Sequence, residues 1–371
     1  MSTRGRIILF VAIIAVLLFA TRRDEAHKLV TSKYSYTEDV YPIVSKRCGQ
    51  CHVPGGIAPM SLVAYRDAVP WAESIRAEVV SGHMPPYYVE QLGSAQLKDS
   101  HRLSSRELDI LLTWATGGTP EGPRTALPPV RSAKDWKLGR PDVSLPLSSP
   151  FTLAADKMDD THEFVLQASD EDRWVRAADL LPGNASIVHD AFIYTRDADG
   201  QPRVMLALWL PGSDPVATPA GAGFHWPAGS SVAVRIHYQK TWTLEGKELT
   251  DLSTVGLYFA KAPVREVESL AIGSTPLILA ENRQILAVRT NTTTPDVELS
   301  LSVTRPNGSK TPVLALTPRP HWDRRYWLAS PLSIPRGTRI EVGVPDGSRE
   351  AEAPRLWLDV MSVQSAAPSA Q

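Results

Sequence analysis

Both cysteines of this chain lie in one five-residue stretch, Cys48-Gly49-Gln50-Cys51-His52. A disulfide framework is therefore excluded, and each part of the fold needs its own apolar core. The stretch itself has few chemical uses. Two thiols at this spacing, followed at once by an imidazole, suit covalent attachment of a c-type haem: the thiols add across the two porphyrin vinyl groups and the histidine faces the iron. A redox dithiol would need a βαβ setting, which the flanking sequence lacks. Half a zinc site would need more ligands at similar spacing, and no other cysteine exists. The stretch thus predicts one covalent haem on Cys48 and Cys51, with His52 as the proximal ligand. Methionine or histidine is the usual sixth ligand. Met84 in Gly82-His83-Met84-Pro85-Pro86 competes with Met60 in Ile57-Ala58-Pro59-Met60, and His83 is a third candidate.

The N-terminus places Arg4 and Arg6 before an apolar run from Ile7 to Ala20, with Arg22 and Arg23 after it. A basic start followed by an apolar stretch reads as an export signal. The run is short for a membrane span, which takes about 20 residues. Leu18-Phe19-Ala20 is nevertheless a poor cleavage site. Residues 1–24 are accordingly a signal anchor or a signal peptide. The rest of the chain is expected on the periplasmic side of the inner membrane, tethered, or free in the periplasm if the segment is cut. A net charge of -1 gives no basic footprint for nucleic acid.

The 371 residues predict two or three domains. Residues 25–122 read as helical: Ser104-Ser105-Arg106-Glu107 forms a capping-box pattern, Leu108, Leu111, Leu112 and Ala115 share a face, and Gly117-Gly118 stops the helix. A proline-rich linker, or strap, covers 123–155. Short β-rich runs follow, separated by Pro, Gly, Asn and Asp, among them Ile187–Tyr194, Ser231–Tyr238, Ile285–Arg289 and Leu356–Val363. Their spacing predicts two β-sandwiches, over 156–268 and 269–364, and 365–371 form a tail. Trp71, Trp114 and Trp136 are placed either to pack the halves together or to mark a partner surface.

Met84-Pro85 ahead of the Leu103–Trp114 helix resembles a class I cytochrome c, in which the distal methionine sits in a loop before the last helix. That resemblance favours Met84 over Met60. Asp172-Arg173-Trp174-Val175-Arg176, Leu181-Pro182-Gly183-Asn184, Val188-His189-Asp190, Pro227-Ala228-Gly229-Ser230 and Arg235-Ile236-His237-Tyr238 together resemble the copper type II, ascorbate-dependent (peptidylglycine-hydroxylating) monooxygenases. The combined likeness implies a multidomain fold: a small all-α cytochrome c domain followed by two all-β jelly-roll-like sandwiches. It implies a first copper held by His189 and His237, with Asp190 in place of a second histidine. Two satisfied core histidines are the competing reading of that pair. The second copper site is expected to be missing, because Arg289, Thr290 and Asn291 stand where imidazoles are required, and Met361 matches only loosely. His225 and His321 are expected in loops. The expected function is one-electron transfer by an exported haem protein, with a catalytically degenerate β-half as docking module or scaffold and a redox protein or larger membrane electron-transfer complex as partner. A haem-fed copper monooxygenase and a copper sensor or chaperone are the alternatives.

Overall fold

The computed structural model describes residues 31–93, 95–98, 101–124, 127–130, 135–262, 264–290, 297–344 and 356–363. The N-terminal apolar run, Asn291, Thr292 and the tail lie outside them. No helix among the described residues is long and apolar enough to cross a membrane.

Among the described residues the N-terminal part carries three helices of seven residues or more, α1 (Tyr41–Arg47), α2 (Ala72–Val80) and α3 (Ser105–Thr116), besides shorter turns. Ser104 caps α3 through a complete capping box: its Oγ accepts from the Glu107 amide, and the Glu107 carboxylate accepts from the Ser104 amide. The buried face of α3 carries Ile110, Leu111 and Trp114, so it is rotated from the face the leucines suggested. These side chains meet Tyr36, Val40, Tyr41 and Val44 in a small core.

The strands follow in chain order. They are β1 (Val89–Gln91), β2 (Val143–Pro146), β3 (Phe151–Leu153), β4 (Asp159–Ala168), β5 (Arg173–Leu181), β6 (Val188–Arg196), β7 (Pro202–Trp209), β8 (Ala222–Trp226), β9 (Ser231–Gln239), β10 (Leu249–Asp251) and β11 (Thr254–Phe259). The second half adds β12 (Arg265–Ile272), β13 (Leu277–Ile278), β14 (Arg283–Thr290), β15 (Leu299–Thr304), β16 (Lys310–Leu316), β17 (Arg325–Ile334), β18 (Arg339–Gly343) and β19 (Leu356–Ser362). An eight-stranded sheet, β17-β14-β19-β12-β8-β5-β11-β2, runs through both halves. Its two parts join where β12 pairs parallel with β8, Arg265 opposite Ala222. A four-stranded sheet, β4-β9-β6-β7, shares a core with the β5 and β11 end. A five-stranded sheet, β1-β16-β15-β18-β13, shares a second core with β14 and β19. The β-sandwich expectation therefore has support.

The expected all-α haem domain is corrected. The molecule is mostly β, and its N-terminal part is not a self-contained helical unit. Between α2 and α3 the chain leaves the helical core: β1 pairs with β16, Val89 opposite Leu316, and Leu97 bridges Leu328. Tyr87, Val89 and Leu97 are buried in the second sandwich core. The cause is simple. These apolar side chains lie between two helices too short to cover them, and the edge of β16 offers unpaired backbone groups.

The proline-rich strap is also built into the β-structure. Trp136 lies over β11, where a β-carbon on Gly256 would come within 2.7 Å of its ring. Trp114, by contrast, is buried in the helical core, with its indole N–H donating to the Pro120 carbonyl over 3.1 Å.

Candidate functional sites

The Cys48–His52 stretch follows directly on α1, and one turn of backbone bonds shapes it: the Cys51 and His52 amides both donate to the Cys48 carbonyl, over 3.1 and 2.9 Å. His52 Nδ1 lies 3.2 Å from the Met60 carbonyl oxygen. A carbonyl only accepts, so this contact puts the proton on Nδ1 and leaves Nε2 as a lone-pair donor. Burial lowers the His52 pKa, which keeps the ring neutral. Both cysteines are free. Burial pushes the Cys48 thiol up to about 12 and the Cys51 thiol to about 11, so both are un-ionised at neutral pH.

The stretch rests on the first sandwich. Cys51 Sγ is 3.7 Å from the Pro211 carbonyl oxygen. Gly212, at φ 76°, has no room for a side chain, because a β-carbon there would meet Gln50 at 2.2 Å. A cleft of about 580 Å³ opens at this junction, with Gln50, Val53, Ile57, Leu180 and Trp209 among its walls. Arg324 and Lys137 lower the Cys51 pKa against the larger effect of burial, so this thiol sits near positive charge. Burial, joined by Arg324, Arg47 and Lys137, brings nearby His101 down to about 4. Met60 is partly buried against the helical core, and Met84 is 37% exposed in the turn after α2. His83 pairs with Glu78 at 3.3 Å.

A second group of side chains is built on β6 and β9. Consecutive strand residues normally point to opposite faces. Here a bulge between Val188 and Asp190 breaks the alternation, and Asp190 comes opposite His237. His189 Nδ1 and His237 Nδ1 then reach the same oxygen, Asp190 Oδ2, at 3.0 and 2.9 Å. All three residues are buried, and each offers a ligand atom within 4.8 Å of the others. Burial alone would raise the Asp190 carboxyl, but the bonds to His189 and His237 outweigh it and hold the pKa below the usual range.

Sequence reasoning did not foresee that His321 packs against this trio. His321 lies in the loop before β17, and its ring stacks on His237 with centroids 4.0 Å apart. Its Nδ1 is 3.7 Å from Asp190 Oδ2. Pro320-His321-Trp322 carries no local signal that could tie it to residues as far back in the chain as Asp190. The remaining expected residues fall elsewhere. His225 stacks on Trp174 and meets Asp172 at 3.1 Å. Met361 is buried in the first sandwich core. Arg289 lies over the Trp357 ring at 4.6 Å, and Thr290 donates to Asp323 over 3.1 Å.

No family model matches this chain, and no curated protein matches it. The resemblance to a cytochrome c domain fused to a degenerate copper monooxygenase is therefore corrected: no family comparison supports it, and the helical part is not the separate all-α domain it requires.

Proposed function

We propose that this chain is an exported redox protein that carries one haem joined to Cys48 and Cys51, with His52 on the iron, and that it passes single electrons to a protein partner. The observation that carries the reading is the His52–Met60 contact. It presents a neutral imidazole with Nε2 available, directly after Cys51, with both cysteines free. The donor set fits a covalently held haem, which supplies a one-electron couple when bound. The residues around it do the rest. The Met60 carbonyl fixes the imidazole tautomer. Arg324 and Lys137 place positive charge near Cys51, which favours the more electron-rich state of a bound redox group. Met84 is the proposed sixth ligand and Met60 its rival. The segment from Ile7 to Ala20 holds the chain on the periplasmic side of the inner membrane, close to a membrane electron-transfer complex, and the β-half serves as scaffold.

The decisive test is a denaturing gel stained for haem peroxidase activity, run on protein from an export-competent host with the haem-attachment machinery. The native chain should stain, and Cys48→Ser combined with Cys51→Ser should abolish the band. Staining that survives the double change removes the proposal.

A second reading rests on the His189–Asp190–His237 group. Two imidazoles and one carboxylate suit a transition-metal ion, copper included. Metal analysis of the purified chain separates the readings: iron alone leaves a haem protein, and one equivalent of a second transition metal adds this centre.

A further inference from the structure

We propose that His321 completes this centre, so that a single divalent transition-metal ion is held jointly by His189, Asp190 and His237 of the first sandwich and His321 of the second. The inference builds on the metal reading of the first three residues. Several independent observations lead to it. The His321 ring is stacked on His237 at 4.0 Å and stands edge-on to His189 at 6.2 Å, directly beside the trio. Trp322, the next residue, packs edge-on against His189 at 5.2 Å. The loop is also held at this place: Arg325 donates to the carbonyls of Leu206 and Met205 on β7, at 2.7 Å each.

The backbone points the same way. His321 has φ 62°, a left-handed conformation that costs a residue with a β-carbon roughly 1 kcal/mol and persists only where the surroundings impose it. In that conformation the His321 Nδ1 lies 3.7 Å from the Asp190 carboxylate. Three imidazoles and one carboxylate form a hard-to-intermediate donor set, suited to zinc, cobalt or divalent copper. The carboxylate offsets part of the ionic charge. The His321 side chain is 52% exposed, so one side of the centre remains open to solvent. A bound ion then does more than fill a cavity, because it ties a loop of the second sandwich to two strands of the first.

The test is a Co²⁺ titration of the full chain, followed by visible absorption. The native chain should take up one equivalent. His189→Ala should lose it. His321→Asn, which tolerates a left-handed backbone, should bind roughly ten-fold more weakly or worse, with an altered visible band. Counting hyperfine-shifted imidazole N–H resonances in the native Co²⁺ protein gives a readout that needs no variant: three signals with His321 as a ligand, two without. Equal affinity and an unchanged band in His321→Asn, or two N–H signals, overturns the role of His321 and leaves the three-residue centre standing. No Co²⁺ uptake by the native chain removes both.

Discussion

Asp359 on β19 is fully buried, and two cations share it. Arg325 Nε lies 2.7 Å from one carboxylate oxygen, and Arg289 Nε lies 3.9 Å from the other, which also accepts from Ser269 Oγ at 2.5 Å. The Arg325 contact is close without the alignment of a hydrogen bond, so it acts as an ionic contact. Burial, and Arg325 beside it, bring the Arg289 guanidinium down to about 10, still cationic at neutral pH. Removing the carboxylate strands two buried charges. Asp359→Ala should therefore cost about 3–5 kcal/mol, measured by urea unfolding, and a loss under about 1 kcal/mol would mean that the arginines find other partners. The same cluster shows what a sequence hides at this scale. The Cys48–His52 spacing and the closeness of His189 to Asp190 are legible because they are local. The meeting of Asp359 with Arg325, and of His321 with His237, is set by strand order, which no local pattern encodes.

At the scale of elements, β9 was readable because its apolar residues crowd together between turn residues, and the Ser104 cap was readable because capping is a four-residue affair. β4 was not: Asp159, Asp160, His162 and Glu163 put polar side chains on both its faces, and only its place at the edge of the four-stranded sheet makes that tolerable. β1 was missed for another reason, since three residues are too few to display a period. Its packing partner Leu97 is 7% exposed. Leu97→Ala should cost about 2–5 kcal/mol. The loss should appear as faster amide exchange in β16, far away in sequence, and unchanged protection there would show that the β1 segment is only laid against the sheet.

At the scale of the molecule, the segment between α2 and α3 fills the second sandwich core, so the helical part and the β-part are expected to unfold together. A fragment covering 31–124, made without haem, should show no cooperative thermal transition by circular dichroism, because Tyr87, Val89 and Leu97 lose the core they fill. A sharp transition from that fragment would restore the independent domain corrected above.

The pairing of β1 with β16 also has a consequence in time. Synthesis runs from the N-terminus, so Cys48 and Cys51 are made long before the strand that receives β1. In the finished protein the Pro211 carbonyl stands against one thiol and Gln50 is pressed onto Gly212. Both cysteines are only partly exposed in the folded chain, so a group joined to them is expected to go on before Pro211 closes against Cys51.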